Sequence, residues 1–465
     1  MTASSERRAA LAALLPFALL TILTTLLTVG KTTKLLEGLT YYLVPETEAE
    51  KARARLAQVQ RSSASARRRK GGKAPATDEL GDESIAALRL TKANLVLRPF
   101  WAHFDHLVFF SAAILVNFAA AEVASRWRGE PVENALLPMM CVVGAGSAVR
   151  ALVKMELDPL TPSVERHLAA VAGAVGFAVS ALILLLVPAD VLDFELDRTG
   201  AELAPALIGG VRRKFSSESS SDRTNDPAGS WKVSSVQIAL GLSVFAGVLS
   251  GALFAPAVRA ARSFAARVRP PSWGRRLMGA GALEAFALHV AFALPLVVAA
   301  AHAAPLSAGP AGWDAETFAA RKAVAIAVAG AAQLAATPGL VQGFLDGALV
   351  TWYELKHGEE ARRHGDPAKV RAAARRKTEV TLHVVCKVAV QAAAPAAAMI
   401  SFACLLGAKR TDPAGEDTSI VALIPPACWR TVAGYLGWWT CACWGVFTAA
   451  GVAASRAGAL GGGGA

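Results

Sequence analysis

Signatures of enzyme chemistry and of nucleotide binding are missing from this sequence. It contains no phosphate-cradling GxxxxGK[ST] loop, no GxSxG motif, no HExxH pair and no CxxC pairs at zinc spacing. These motifs mark most NTPases, serine hydrolases and zinc enzymes. We therefore expect a protein that is not an enzyme and that has no catalytic residues, no bound cofactor and no metal site.

Charged residues are also scarce. They make up 18% of the 465 residues, while 54% are hydrophobic; soluble domains have about 25% charged residues. The surplus apolar surface is expected to face a lipid bilayer. Lys and Arg outnumber Asp and Glu by 48 to 36, but the excess lies in connections between apolar runs. This pattern is typical of membrane topology and predicts no nucleic-acid partner.

Cysteine is rare, and its placement argues against a disulfide framework. The chain has six cysteines, and a buried cysteine inside an apolar run normally behaves as a small hydrophobic residue. Cys428 lies outside such a run. The others lie within apolar runs: Cys141, Cys386, Cys404, Cys441 and Cys443.

Long apolar runs are abundant, and each is long enough to cross a hydrocarbon core of about 30 Å as a helix. We predict an all-α fold, a polytopic transmembrane bundle of eight or nine spans, in an integral multi-pass membrane protein. The first run follows Arg7 and Arg8, and we favour a retained helix over a cleaved signal peptide. The runs cover residues 9–29, 107–124, 135–153, 167–187, 233–258, 283–301, 323–345, 382–406 and 432–454.

The hydrophilic connections divide the spans into groups. Residues 61–73 are basic and of low complexity, which predicts disorder. The expected organisation is a first helix or signal anchor (1–29), a basic, largely disordered loop (30–103), spans 2–4 (104–187), a polar Ser-rich loop (188–232), spans 5–7 (233–345), a charged helical loop (346–381), spans 8 and 9 (382–456) and a Gly-rich tail (457–465).

The most polar stretch inside a span lies at the start of the eighth span. Glu379, His383, Lys387 and Gln391 are four residues apart, which predicts that they stack along one helix face. An ionisable residue inside a membrane span is a candidate functional residue. Two readings stay open: a polar conduit or partner-binding face, or structural anchoring in which the Lys387 side chain extends to the membrane surface.

Other ionisable candidates at membrane depth are Glu122, Arg150 and His289. For His289, a proton relay and a neutral histidine bonded to a backbone carbonyl are both open. Residues 103–106 (HFDH) form a further cluster at the start of the second span; anchoring at the interface is favoured over metal binding or a transferase centre.

Small residues predict a close helix crossing on the fifth span. Ser243, Gly247 and Gly251 recur every four positions, which is the small-xxx-small pattern that lets helix backbones approach each other in lipid.

Several segments resemble the transmembrane protein 161 family. In the last span, Tyr435, Trp438 and Trp439 lie in YLGWWTCAC, which is similar to that family's YLxWWTxAC. In the sixth span, LHVAFALPL, which contains His289 and Pro295, is similar to LHxxFxxPL. Further family-like positions are Gly247, Gly251, Pro256 and Arg259 in the fifth span and the Q-x-x-x-P pair Gln391 and Pro395 in the eighth.

The resemblance has departures. Where the family has T-R-P-x-L-Q, this chain has Thr337, Pro338 and Gly339 and keeps only Gln342 of the later positions. His383 and Lys387 have no clear family counterpart.

The resemblance implies a non-enzymatic multi-pass membrane protein that modulates the oxidative-stress response or ion fluxes, including ion current regulation, through membrane-protein partners. The alternative is a transporter or channel in its own right, favoured by helices expected to break at Pro256, Pro295, Pro338 and Pro395. The expected partners are the lipid bilayer and a membrane protein.

Basic connections predict the orientation. Residues 30–103, 259–282 and 346–381 carry 14, 6 and 8 Lys and Arg residues, whereas residues 125–133 and 303–322 carry two each. The connection 188–232 does not fit this pattern because it carries six basic residues, although its eight acidic residues offset them. With nine spans, the positive-inside rule places the 30–103 loop and the C-terminus in the cytosol and the N-terminus outside.

Protease digestion and cysteine accessibility on sealed, cytosol-side-out vesicles check this topology. We expect residues 30–103 and the C-terminus to be cleaved or labelled together without detergent. A protected 30–103 loop would indicate an inverted chain and a cleaved first helix.

Overall fold

A computed structural model describes residues 35–45, 85–129, 136–158, 161–203, 234–303, 315–357, 367–408 and 425–457. Two short strands come first, β1 (Thr40–Leu43) and β2 (Ala86–Arg89). The helices are α1 (Lys92–Val96), α2 (Trp101–Arg128), α3 (Leu136–Glu156), α4 (Ser163–Leu186), α5 (Ser235–Val268), α6 (Arg275–Met278), α7 (Ala282–Ala301), α8 (Ala315–His357), α9 (Pro367–His383), α10 (Val385–Gly407) and α11 (Pro426–Arg456).

Eight helices in the described part of the chain are long and apolar enough to cross a membrane. They are α2, α3, α4, α5, α7, α8, α10 and α11, and they correspond to predicted spans 2–9. The prediction of an all-α polytopic bundle is confirmed. The predicted first span, 9–29, lies outside the described residues, as does the tail from residue 458.

Helix α10 forms the centre of the bundle. It packs against α2, α3, α8 and α11, and every residue from Val385 to Leu405 is buried. Its middle is VQAAAPAAAM, so mostly small side chains surround the axis and neighbouring helices approach closely on all sides. A helix that is apolar around its whole circumference and enclosed by others is a core element.

Helix α4 lies at the perimeter. Most of its apolar side chains, including Val171, Val175, Leu182 and Leu186, are exposed in the bundle. Such a surface would be costly in water and is the surface that hydrocarbon accommodates. Its inner face packs mainly on α5.

The proline-containing helices are continuous. Pro256, Pro295, Pro338 and Pro395 each lie inside a single helix, in α5, α7, α8 and α10 respectively. The expectation that these prolines break their helices is wrong. Proline removes one backbone hydrogen bond, and a tightly packed neighbourhood tolerates that loss in a membrane helix.

A small two-stranded sheet lies against the bundle beside α8 and α9. Strands β1 and β2 pair antiparallel, with Thr40 opposite Arg89 and Leu43 opposite Ala86, and β1 packs on α8 and α9. Both ends of the predicted 30–103 loop therefore carry structure. The intervening residues 46–84, which contain the low-complexity stretch, lie outside the described part, so their disorder stays a prediction.

Helices α4 and α5 cross at their glycines. A Cβ built on Gly247 would lie 3.0 Å from the Gly173 carbonyl oxygen, and one on Gly251 would lie 2.9 Å from the Ala169 carbonyl oxygen. The backbones are therefore in contact here, which no larger residue permits without separating the helices.

Helix α11 is fixed to its neighbours through aromatic donors. Trp438 Nε1 donates to the Ala299 carbonyl at 3.0 Å, and Trp439 Nε1 donates to the Ala246 carbonyl at 3.0 Å. The hydroxyl groups of Tyr435 and Ser180 are hydrogen-bonded. A buried tryptophan or tyrosine needs such a partner for its polar atom, so the segment 435–440, which we call the WWT segment, joins α11 to α4, α5 and α7.

Substituting the crossing glycines should weaken the bundle. We expect Gly247→Leu and Gly251→Leu each to destabilise the protein by about 1–3 kcal/mol, because overpacking pushes backbones apart. Thermal unfolding in detergent measures the effect. Gly241→Leu on the same helix is the control, since a Cβ there meets no atom within 4 Å. Equal melting temperatures for all three variants would contradict the close crossing.

Candidate functional site

The buried charges concentrate at one end of the bundle. This end, which we call the basic end, contains the last turns of α3, α5 and α8, the first turns of α4, α7 and α10, and helix α9. Two stretches at this end, residues 259–282 and 346–381, carry six and eight Lys and Arg residues. Two networks of charged side chains lie here.

Lys387 belongs to the first network and is almost fully buried, with 7% exposure. Its Nζ atom donates to Asp158 Oδ2 at 2.8 Å and to Thr161 Oγ1 at 3.1 Å. Both partners lie in the short connection between α3 and α4. Lys387 is thus paired inside the protein, and the ion pair links the start of α10 to that connection.

Arg259 holds together three helices. One guanidinium nitrogen donates to Gln391 Oε1 on α10 at 2.6 Å, and another is paired with Glu165 in the first turn of α4. A carboxylate is favourable at this position because a helix N-terminus carries partial positive charge. The family-like residues Arg259 and Gln391, 132 positions apart, are therefore in direct contact.

Glu156, the last residue of α3, completes this group. Only 8% of its surface is exposed, and neither carboxylate oxygen has a hydrogen-bond partner. Arg259, Glu165 and Lys387 are close enough to act on it electrostatically. We call the whole group the inner network; it comprises Glu156, Asp158, Glu165, Arg259, Lys387 and Gln391.

Arg267 organises the second network. Its Nη2 atom lies 2.6 Å from both carboxylate oxygens of Glu284 on α7, and its Nη1 atom lies 3.1 Å from Asp346 Oδ2 on α8. Asp346 is 1% exposed. An acid buried this deeply is tolerated because Arg267 and two neutral donors surround it.

Gln342 attaches the small sheet to this network. Its amide accepts from the Thr40 backbone nitrogen at 2.7 Å and donates to the Thr40 carbonyl at 3.0 Å, as a neighbouring strand would. It also donates to Asp346 at 2.8 Å, and the Tyr42 hydroxyl donates to the same carboxylate at 3.3 Å. We call Arg267, Glu284, Asp346, Gln342 and Tyr42 the sheet network.

The remaining sequence candidates do not join either network. His289 is exposed on α7, where its Nδ1 atom is 2.7 Å from the Ala285 carbonyl and its ring lies against Phe264. Arg150 is exposed, and Glu122 is half-buried near the far end of α2.

The four residues expected on a single polar face, from Glu379 to Gln391, do not share one environment. Helix α9 ends at His383 and α10 starts at Val385; Glu379 and His383 are exposed, whereas Lys387 and Gln391 are buried. The four-residue spacing predicted one continuous face. The break at Val384 separates it into two parts.

Sequence reasoning missed most of the acidic partners. Asp346 is the first residue of the predicted charged helical loop, and α8 does continue as a helix to His357, but the sequence pattern gives no sign that this acid is a buried partner. The other acidic partners lie near helix ends, where acidic residues are common and do not indicate a buried site. They are Glu156, Asp158, Glu165 and Glu284. One signal was available: Lys387 at membrane depth required a nearby acid.

The opposite end of the bundle holds one buried histidine. His302 follows α7, is 2% exposed, and lies with Nδ1 2.8 Å from the Val298 carbonyl. Burial lowers its pKa to about 4. His302 is therefore neutral at physiological pH and caps the end of α7.

No metal centre is present in the described residues, where no group of three His, Cys, Asp or Glu side chains is arranged to hold an ion. The described cysteines are free thiols. His103 of the HFDH cluster contacts Lys154, with 3.4 Å between Nε2 and Nζ.

A family model described as predicted transmembrane protein 161AB matches residues 11–348. The chain belongs to this family. The matched region contains most of both networks, including Arg259, Arg267 and Gln342, whereas Gln391 and the WWT segment lie beyond it. No curated protein and no solved structure matches the chain. Membership of the transmembrane protein 161AB family agrees with the multi-pass bundle.

The sheet network should be essential for stability. We expect Arg267→Gln to cost about 3–5 kcal/mol, because it leaves the buried Asp346 charge without a counter-ion. Adding Asp346→Asn should recover part of that loss by removing the uncompensated charge. Melting curves in one detergent provide the measurement.

Arg375→Gln is the matched control. Arg375 pairs with Glu379 four residues along the exposed face of α9 at 2.8 Å, and such a surface pair contributes about 0.3–0.5 kcal/mol. Similar losses for Arg267→Gln and Arg375→Gln would contradict the structural role of the sheet network.

Proposed function

We propose that this protein is a non-enzymatic, non-conducting membrane protein that modulates the oxidative-stress response or ion fluxes by acting on other membrane proteins. The observation that carries the proposal is the complete burial of α10 among apolar helix faces. The position where a transport pathway would run through the bundle is filled by a packed helix of small residues.

The distribution of charge supports the same proposal. In the eight described spans, charged side chains lie toward helix ends, and the central turns are apolar or carry hydroxyl and amide groups and, in α7, the imidazole of His289. Ion-coupled carriers use charged residues or broken helices near the midplane. The continuous helices through Pro256 and Pro395 offer no unwound segment for an ion.

The inner network favours one alternative, a transporter in its own right. Buried ion pairs such as Lys387 with Asp158 can exchange partners during an alternating-access cycle. In this protein the pairs lie at the basic end and join α10 to α4 and α5. This placement favours a structural link between helices over a role in transport.

Reconstitution distinguishes the two functions. We expect purified protein in liposomes to show no flux of protons, sodium, potassium or chloride above that of empty liposomes, because a closed bundle provides no pathway. Any change in cellular currents or oxidant resistance should then depend on a second membrane protein.

Gln391→Ala and His289→Ala provide matched variants for the flux assay. Gln391 lies inside the inner network, whereas His289 is exposed on the bundle surface. Robust flux by the pure wild-type protein, lost in Gln391→Ala and kept in His289→Ala, would replace the modulator function with transport.

A further inference from the structure

Glu156 is the one carboxylate of the inner network that lacks a partner. Lys387 donates to Asp158, and Arg259 is paired with Glu165. Both Glu156 oxygens are buried and accept no hydrogen bond. An ionised carboxylate in such a position loses its hydration and gains no donor in return, which is strongly unfavourable.

The charge balance of the network points to the same residue. Three carboxylates, Glu156, Asp158 and Glu165, face two cations, Arg259 and Lys387. With all five groups ionised, the inner network carries one surplus negative charge. With Glu156 neutral, each remaining carboxylate has its own cation and the surplus disappears.

Within the described part of the chain, one carboxylate and two cations act electrostatically on Glu156. The charged groups that act on it come from each neighbouring element: Glu165 from α4, Arg259 from α5 and Lys387 from α10. The remaining unpaired polar atom of the network is Gln391 Nε2, whose amide is oriented by its bond to Arg259.

We propose that Glu156 is a proton-binding site, that it holds a proton in the packed bundle, and that release of this proton loosens the contacts between α4, α5 and α10. The proton binds one carboxylate oxygen and leaves to water at the basic end. An ionised Glu156 competes with Asp158 for Lys387 and with Glu165 for Arg259, so deprotonation weakens the two ion pairs that connect these helices. This inference holds whether or not the protein conducts ions.

The sign of the resulting pH dependence follows from linkage. An unfolded glutamic acid releases its proton near about pH 4.3, whereas under this proposal the packed bundle retains the proton on Glu156 above that pH. The folded state therefore loses stability relative to the unfolded state as the pH rises above about 4.3, until folded Glu156 is itself ionised.

Melting temperatures of the full-length protein in detergent test this. Glu156→Gln mimics the protonated side chain and cannot ionise. We expect it to match the wild type near about pH 4.5 and to exceed it by about 3 °C or more near about pH 8. Glu379 is an exposed acid on α9, so the difference in melting temperature between Glu379→Gln and the wild type should not increase with pH. Parallel wild-type and Glu156→Gln curves across this range would overturn the proposal.

Infrared spectroscopy tests the proton directly. The wild-type protein should show a protonated-carboxyl C=O band at neutral pH that disappears on alkaline titration and is absent in Glu156→Gln. If Glu156→Gln does not fold, Glu156→Asp keeps a carboxyl group and should shift the band. A spectrum without such a band, or a band that neither substitution changes, would show that Glu156 is ionised.

Discussion

The complete enclosure of helix α10 is the constraint on which the rest of the structure depends. A helix surrounded by four others must present small side chains on every face, and its sequence around Pro395 does so. In lipid, helices gain no hydrophobic free energy by associating, so this close packing and the hydrogen bonds between helices hold the bundle together. Trp438 and Trp439 provide such bonds from α11 to α7 and α5.

Enclosure also explains the buried charges. Lys387 and Gln391 lie on the first turns of α10, so they cannot reach lipid headgroups without leaving the bundle. Their partners arrive from α5 and from the connection between α3 and α4. The ion pairs consequently fix the order in which helices pack at the basic end, and the unpaired Glu156 makes that arrangement sensitive to one proton.

Membership of the transmembrane protein 161AB family agrees with the multi-pass architecture. The mode of action has to be argued from the residues of the two networks. Arg259 and Gln391 were singled out by their place in family-like motifs, and the structure brings them into direct contact. Gln342, recognised in the same way, binds both backbone groups of Thr40 and joins the extramembrane sheet to α8. These contacts are structural links, which suits a protein that acts through partners.

The sequence by itself located the eight spans that the structure describes, because hydropathy is a local property and about 20 apolar residues suffice to cross a bilayer. It also indicated Lys387 and the small residues Gly247 and Gly251. Only the tertiary structure decided which polar groups meet: Lys387 and Asp158 are 229 positions apart, and Arg259 and Glu165 are 94 apart. It also placed His289 on the surface and buried Glu156. Helix periodicity assigns residues to faces, but the choice between a lipid-facing and an enclosed face depends on which helices pack together.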